Sequence, residues 1–473
     1  MSNDNRIYLN GVDGETGQYL VPPFEPAQAA ALARDNPTGE GLSRWLKRVA
    51  RAVRERYLGL PIDVDARDVA QAGWAIVFHA DEPAPVREAL EPLVDLRRTQ
   101  VGDARTKVLE YRAGEQWRDW LARHGVSAGT IDPTKVPYYV LLVGEPSRIP
   151  YSFQFLLDIE YGVGRIAFDT AAEYRAYAES IVEYESGEHV PTSKTAVFFG
   201  TRHAFDRATQ LSADALVAPL AKLVGDRSGF ETRLVAPREA TKETLATILR
   251  GNEGVPAFCF TATHGVGFRK GHPDQLAKQG ALICQDWARF GALDGRHYFA
   301  AEDVPSDARL HGLVAFHFAC FGVGTPEHDN FMHEPGVVPP QIAERPFVAK
   351  LPQALLAHPG GGALAVIGHV ERAWGCSIGS AKAGAQLLPF ENAAGAILRG
   401  WPVGYACKDF NERYAALSAE LSELLEQIGA LAVIPDDELA SVWLERNDAR
   451  NYAVVGDPAA HIRVDTLLDG SRA

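Results

Sequence analysis

Short apolar segments alternate with amphipathic helical segments along most of the 473-residue chain, and this alternation restricts the fold more than any other feature. The apolar segments that we interpret as strands are 73–80, 107–111, 138–146, 195–201, 232–236, 257–265, 313–322, 361–370 and 452–462. Between them, residues 85–96, 114–125, 206–224 and 241–251 repeat apolar side chains at helical spacing. Strands separated by helices predict a mainly parallel sheet with helices on both faces, which is an α/β fold class.

Two distant segments of the chain resemble each other, YVLLVGEPSRI at 139–149 and YAVVGDPAAHI at 452–462. Together with the repeated strand–helix order, this predicts two related α/β halves in tandem. We therefore divide the chain into residues 1–70, a first half at 71–190 and a second half at 191–473. Residues 1–40 are expected to be mostly irregular, and 42–58 form a basic amphipathic helix. The second half includes a further amphipathic helix at 411–428.

Composition excludes several classes of protein. A net charge of −14 argues against a nucleic-acid partner, because phosphate binding needs a cationic surface. No apolar run of about 18 residues occurs, so no membrane span is predicted. The polar N-terminus lacks the pattern of a secretory signal, and five widely spaced cysteines do not form a disulfide framework. We therefore expect a cytoplasmic protein with reduced thiols.

Two of the predicted strands end in side chains that could react together. Segment 257–265 ends in Thr263-His264-Gly265, and segment 313–322 ends in Ala319-Cys320-Phe321-Gly322. Ligands of open α/β sheets bind at the carboxyl ends of the strands. A nearby imidazole can take the proton of a thiol and leave a nucleophilic thiolate. His264 and Cys320 are thus the candidate base and nucleophile, and the N–H groups of Gly265 and Cys320 are candidate donors to an oxyanion.

Two other interpretations of Cys320 remain open. A free cysteine is often a buried packing residue, as the apolar surroundings of Cys259, Cys284 and Cys407 suggest, and Cys376 in a turn is a rival nucleophile. A zinc site is the second alternative, with ligands from the set His317, Cys320, His328 and His333. Alternation along a strand counts against it, since His317 and Cys320 would face opposite sides. For the enzyme interpretation we expect no cofactor.

The two strand ends, T-H-G and then A-C-x-G, resemble the catalytic layout of caspase-like cysteine peptidases of clan CD. Further segments at 138–151, 161–168, 299–305 and 361–374 resemble gingipain-like and CHAT-domain proteins most closely. The resemblance implies a caspase-like fold with two caspase-like halves and catalysis in the second. It also implies His264 as general base, Cys320 as nucleophile, and the N–H groups of Gly265 and Cys320 as the oxyanion hole. Phe321 departs from the small polar residue common at that position, and no third catalytic residue is evident.

The resemblance implies a cysteine endopeptidase that cuts one or a few intracellular protein partners, such as an effector encoded alongside it, in a bacterial stress or defence system. Candidates for its substrate pocket are Glu302, Asp303, Glu371 and Trp374, whose acidic members would favour Arg or Lys before the scissile bond. The proline-rich segment 321–349 is expected to be a lid or activation loop that is cut at a basic residue such as Arg345. The alternatives are a non-catalytic caspase-like scaffold or sensor and the zinc-binding protein described above.

Overall fold

The structure is a computed structural model that describes residues 6–8, 10–35, 60–187, 192–331, 337–373, 378–380 and 384–468. The predicted helix at 42–58 lies outside the described residues, as do Trp374, Cys376 and His333. Within the described ranges, none of the helices combines the length and the apolar character that a membrane crossing requires.

Strands and helices alternate along the chain, and each of the nine strands predicted from the sequence overlaps a strand of the structure. The strands are β1 Gly11–Asp13, β2 Trp74–His79, β3 Thr106–Tyr111, β4 Tyr139–Val143, β5 Gly162–Ile166, β6 Thr192–Gly200, β7 Glu231–Val235, β8 Val255–Ala262, β9 Gly265–Gly267, β10 Leu282–Ile283, β11 Tyr298–Phe299, β12 Val314–Phe318, β13 Gly324–Thr325, β14 Phe347–Val348, β15 Ala365–His369, β16 Gly379–Ser380, β17 Gly384–Ala385 and β18 Tyr452–Gly456. The helices are α1 Pro26–Asp35, α2 Val69–Ala72, α3 Ala84–Ala89, α4 Glu91–Val101, α5 Trp117–Arg123, α6 Tyr151–Leu157, α7 Ala171–Ser186, α8 Arg207–Ser212, α9 Ala218–Ser228, α10 Lys242–Arg250, α11 Gln275–Lys278, α12 Lys350–Leu356, α13 Leu388–Leu398, α14 Val403–Ala406, α15 Lys408–Gly429 and α16 Asp436–Arg450.

Ten strands form one central sheet in the order β3-β2-β4-β5-β18-β15-β12-β8-β6-β7. Neighbouring strands are parallel except at the β18–β15 pair, which is antiparallel. Five strands therefore run in one direction and five in the other. Every residue of β4, β8 and β12 is buried, because helices cover both faces of the sheet. The prediction of a mainly parallel sheet flanked by helices is confirmed.

The two similar segments of the sequence lie in the same part of this sheet. Strands β4 and β18 run in parallel and are separated by β5 alone. Asp457, which directly follows β18, accepts hydrogen bonds from Trp74 at 2.9 Å and from Arg97 at 2.8 Å, and both partners belong to the first half of the sequence. The strands of both halves thus form one continuous sheet, and the division at residues 70 and 190 stays a prediction.

The N-terminal region contains more regular structure than the sequence indicates. Strand β1 pairs in parallel with β9 and belongs to a small second sheet of order β1-β9-β10-β11. Helix α1 packs against α16, with Leu32 buried in the same apolar cluster as Trp443. The expectation of a mostly irregular segment at 1–40 did not include β1 and α1. Three residues are too few to show a strand period, and β1 exists through its pairing with β9.

The proline-rich segment after the candidate nucleophile folds back on itself. Strands β13 and β14 pair antiparallel, with Gly324 opposite Val348 and Thr325 opposite Phe347. Arg345, the predicted cleavage point, is exposed just before β14. The role of this segment as a lid or activation loop stays a prediction.

Candidate active site

The candidate site lies at one edge of the central sheet, where four neighbouring strands end. Strands β6, β8, β12 and β15 are parallel and adjacent, so the residues that follow them meet at the same edge. The register pairs Phe318 of β12 with Ala262 of β8, and the Thr263 N–H donates to the Phe318 carbonyl at 3.2 Å. Two residues beyond this pair, the same register places the backbones of His264 and Cys320 at neighbouring strand ends. Their pairing as a catalytic dyad stays a prediction.

The glycine of the T-H-G motif has a steric reason. A Cβ atom on Gly265 would lie 1.8 Å from the carbonyl oxygen of Cys320 and 3.0 Å from its amide nitrogen. Any side chain at residue 265 would therefore push the two strand ends apart. The absence of a Cβ lets the backbone that follows His264 lie directly against the backbone of Cys320.

Asp206 completes the site and was not predicted from the sequence. Its Oδ2 lies 2.8 Å from Nε2 of His264, and both side chains are fully buried. Asp206 is also the N-cap of α8, where it accepts from the N–H groups of Ala208 and Thr209, and it accepts from the Tyr19 hydroxyl. Burial opposes ionisation, but His264 and these hydrogen bonds hold the pKa of Asp206 well below its ordinary value. The sequence signal that could have indicated Asp206 is its position shortly after the predicted strand at 195–201, which is β6, the neighbour of β8.

This contact defines the state of the His264 ring. An ionised Asp206 can only accept, so Nε2 carries a proton, and in a neutral ring Nδ1 is the proton acceptor. Among the described residues, Nδ1 of His264 has no hydrogen-bond partner although it is buried. The ring is therefore oriented by a carboxylate on one side and has an open proton acceptor on the other. That arrangement suits a general base.

Cys320 is fully buried in the structure. Its Sγ accepts from the Ala373 N–H at 3.2 Å. Burial raises the pKa of the Cys320 thiol to about 12, although the Ala373 N–H and Arg372 act in the opposite direction. Burial likewise raises the pKa of Cys259 to about 12, so burial alone does not distinguish the two thiols. What distinguishes Cys320 is its position at the strand end next to the one that carries His264.

The residue after Cys320 has an unusual backbone conformation. Phe321 has φ of 57°, in the left-handed region that side chains disfavour by roughly 1–2 kcal/mol. Its N–H donates to the Glu371 carbonyl at 2.5 Å, and its side chain is buried. The turn that presents Cys320 is thus fixed by a bond to the loop after β15.

The predicted pocket residues do not form one cluster of free acids. Glu371 is buried near Cys320, accepts from Asn330, and lies 3.4 Å from Arg372, which also binds Asp329 at 2.6 Å. Burial, followed by the charge of Asp329, raises the pKa of Glu371.

The other two acids lie after β11, at the far side of the small sheet. Asp303 pairs with Lys242 at 2.7 Å and Glu302 lies 3.6 Å from Lys278. Their charge is therefore compensated within the protein, which weakens the electrostatic argument for a basic substrate residue.

The zinc alternative receives no support from the described part of the chain. No group of three or more His, Cys, Asp or Glu side chains in that part is arranged to hold a metal ion. His317 is buried in an apolar pocket that Leu245, Leu351 and Leu355 line. Burial lowers the pKa of His317 to about 4. His317 is thus a neutral core histidine.

No protein-family model matches the chain, and no curated protein matches it. Among solved structures, it is similar to a protease, with 13% identity and a TM-score of 0.46 over 83% of this chain and 79% of that chain. It is also similar to the complex of Porphyromonas gingivalis RgpB pro- and mature domains, with 11% identity and a TM-score of 0.43 over 83% of this chain and 80% of that chain. Saccharomyces cerevisiae separase, solved with securin, matches at 10% identity and a TM-score of 0.35 over 69% of this chain and 16% of that chain. The roles proposed for individual residues rest on the geometry described above.

Proposed function

We propose that the chain is a cysteine endopeptidase in which Cys320 is the nucleophile, His264 the general base and Asp206 the residue that orients His264. The observation that carries the proposal is the buried Asp206–His264 contact of 2.8 Å at the strand end next to Cys320. A carboxylate, an imidazole and a thiol on three adjacent strand ends match the logic of a nucleophile, its base and an orienting group.

The proposed reaction follows from this geometry. His264 Nδ1 takes the Cys320 proton, and Sγ attacks the carbonyl carbon of the scissile peptide bond. The N–H groups of Gly265 and Cys320 stabilise the oxyanion, and His264 then gives its proton to the leaving amine. Water hydrolyses the thioester, with His264 again accepting a proton. Asp206 stays ionised throughout, which its lowered pKa supports.

The resemblance supports a narrower role, which we add to the proposal. The substrate is one or a few protein partners, such as an effector encoded alongside the enzyme, in a CHAT-type stress or defence system of the bacterial cytoplasm. Residues 191–473 act as the catalytic half, and Glu371 with Glu302, Asp303 and Trp374 contributes to the substrate pocket. No cofactor takes part.

One observation favours a second candidate, a non-catalytic module that scaffolds or senses a partner. Cys320 is fully buried and its raised pKa keeps the thiol protonated. A thiol that stays in this state has no chemistry. Iodoacetamide mapping at neutral pH separates the two candidates. In an active enzyme, iodoacetamide alkylates Cys320 faster than Cys259, Cys284 and Cys407.

The direct test is cleavage of a peptide library by the full chain. We expect wild type to cut a restricted set of peptides, and both Cys320→Ala and His264→Ala to lose at least 99% of the rate, since each removes a reacting group. Cys407→Ala makes the same chemical change at a buried cysteine at the start of α15 and keeps the wild-type rate. Cleavage that persists in purified Cys320→Ala would remove the proposal.

A further inference from the structure

An N-terminal hairpin covers the candidate catalytic residues. Residues 10–20, which we call the N-terminal hairpin, turn back so that Asp13 N donates to the Gln18 carbonyl at 2.8 Å and Leu20 N donates to the Gly11 carbonyl at 3.0 Å. The Tyr19 hydroxyl donates to Asp206, and the Tyr19 ring stands edge-on to His264 at a centroid distance of 5.8 Å. Cys320 and His264 are both 0% exposed beneath this cover.

Asn10 forms hydrogen bonds with the backbone on two sides of Cys320. Its main-chain N–H donates to the Ala373 carbonyl at 3.2 Å, and the N–H of the same Ala373 donates to the sulfur of Cys320. Its side-chain Nδ2 donates to the Thr263 carbonyl at 2.8 Å, directly before His264. Asn10 is only 3% exposed, and its Oδ1 has no hydrogen-bond partner among the described residues. The asparagine side chain therefore occupies a closed polar pocket between the ends of β8 and β15.

Gly11 lies against the candidate nucleophile. A Cβ atom on Gly11 would be 2.9 Å from Sγ and 3.3 Å from Cβ of Cys320. From Gly11 onward, β1 runs parallel to β9, with Gly11 opposite Gly265 and Val12 opposite Val266. The Asn10–Gly11 peptide bond therefore joins two differently held residues. Asn10 is bonded to the loop after β15, and Gly11 begins the strand that pairs with β9 beside His264. An extended peptide that adds a strand to an exposed sheet edge is a recurrent way of binding peptides.

Resting on the function proposed above, we propose that the Asn10–Gly11 peptide bond occupies the position of a scissile bond and is cut by Cys320 of the same chain. The Thr263 carbonyl, which accepts from the Asn10 side chain, then selects asparagine as the residue before the bond, and the Ala373 carbonyl holds the main chain. Sγ forms a bond to the Asn10 carbonyl carbon, and the bond from that carbon to the Gly11 nitrogen breaks. His264 passes the thiol proton to the new amine of Gly11. Water then hydrolyses the thioester, which releases a peptide that ends in the Asn10 carboxylate and restores the thiol.

This cut would loosen the cover of the site. Among the described residues before Asn10, Ile7 forms an antiparallel bridge to Phe24 through hydrogen bonds of 2.9 and 3.2 Å, and the Tyr8 ring stands edge-on to Tyr19 at a centroid distance of 6.4 Å. Once the Asn10–Gly11 bond is broken, residues 1–10 can leave and the pocket becomes free for another asparagine. Residues 11–20 then lose their covalent link to Asn10, and withdrawal of Gly11 from Cys320 would give the thiol contact with water, which returns its pKa toward the ordinary value.

The first test follows the chain's own N-terminus by intact-mass measurement and N-terminal sequencing during incubation of the full protein. We expect wild type to convert to a product that begins at Gly11, and Cys320→Ala to stay uncut, which excludes spontaneous breakage. Asn10→Gln keeps the amide but adds a methylene, and we expect it to be cut roughly a hundredfold more slowly. The matched control Asn5→Gln makes the same change five residues earlier and is cut at the wild-type rate.

A second test needs no altered hairpin. The peptide acetyl-Ile-Tyr-Leu-Asn, coupled to a fluorogenic amine, should be hydrolysed by the cut wild-type protein, and the matching peptides ending in Gln or Arg should be poor substrates. Wild type that cleaves library peptides but keeps its Asn10–Gly11 bond, or prefers the Arg peptide, overturns this inference and leaves the peptidase proposal intact. Wild type that cleaves neither itself nor any peptide removes both.

Discussion

Replacing Gly11 with alanine should open the site without replacing a catalytic group. The new Cβ would meet Leu20 Cδ1 at 2.8 Å and Cys320 Sγ at 2.9 Å, both closer than Cβ atoms normally approach other atoms. Overpacking of this kind costs about 1–3 kcal/mol. The strain exists only while the hairpin covers the site, so it acts on the equilibrium between the covered and the open site. At about 1.4 kcal/mol per factor of ten, the open population should rise about 5- to 150-fold.

The assay is the initial rate of Cys320 alkylation by iodoacetamide at neutral pH, with the labelled peptide identified by mass spectrometry. A buried thiol of pKa about 12 contains about 3000 times less thiolate than an exposed one of about 8.5, so labelling reports almost only the open state. The intact mass of each sample shows whether residues 1–10 are still attached, so that opening is measured before any cut. Gly295→Ala adds a Cβ in open space and should label like wild type.

Equal labelling of Gly11→Ala and wild type, in protein with an unchanged urea midpoint, would refute the reasoning. It would mean that the hairpin rearranges locally around residue 11 and stays in contact with Cys320, so that the covered state is a fixed part of the fold. Slower labelling in the variant would have the same meaning. Faster labelling at Cys259 as well would indicate general loosening of the protein, which the urea midpoint detects independently.

Three further outcomes follow from the described contacts. Asp206→Asn keeps the shape of the N-cap but removes the charge that orients His264, and the rate of Cys320-dependent peptide cleavage should fall about 10²- to 10⁴-fold with little change in KM. In the same variant the free energy of unfolding, measured in urea, should approach that of wild type as the pH falls below about 4. The sign follows because a depressed pKa stabilises the folded state above the ordinary carboxyl value of about 3.9, and acid removes that contribution. Asp457→Ala leaves Arg97 with one of its two buried carboxylate partners and should cost about 3–5 kcal/mol in urea unfolding at pH 7, whereas Asp103→Ala, at an exposed pair, should cost less than about 1 kcal/mol.

The strands that build the site could be predicted because their pattern is local. Strands β8 and β12 are buried on both faces, so each appears in the sequence as a nearly continuous apolar run that ends in glycine-containing motifs. Parallel neighbours bring such ends to one edge, and that is enough to propose that His264 and Cys320 meet. The order of the strands in the sheet could not be predicted in this way. Insertion of β18 next to β5 depends on pairings between residues about 290 apart in the chain, and no local pattern encodes them.

Local sequence patterns could predict neither the role of Asp206 nor the N-terminal hairpin, for two separate reasons. Asp206 is 58 residues from His264 and has an ordinary local role as a helix N-cap, so its sequence context already explains its presence. Strand β1 is three residues long, and two of its neighbours in the hairpin are glycines, a composition typical of a turn. Its strand conformation depends on β9, which is equally short. The charge argument for an acidic substrate pocket was weakened in the same way, because the cations that compensate Glu302 and Asp303 are distant in the sequence.

Catalysis by Cys320 needs a thiolate, yet the described arrangement buries the thiol and raises its pKa to about 12. The packing beneath the hairpin indicates how both can be properties of one protein. Contact between the hairpin and the site combines the backbone pairing of β1 with β9 and side chains packed against glycines: Gly11 lies against the Cys320 side chain, and a Cβ on Gly267 would lie 2.6 Å from the Leu20 side chain. A permanent core fills such space with side chains, whereas glycines on both partners leave two backbones at peptide-binding distance. A sheet edge built in this way accepts an extended main chain whatever its source. The N-terminal hairpin therefore occupies a surface that would equally accept a separate peptide once it withdraws.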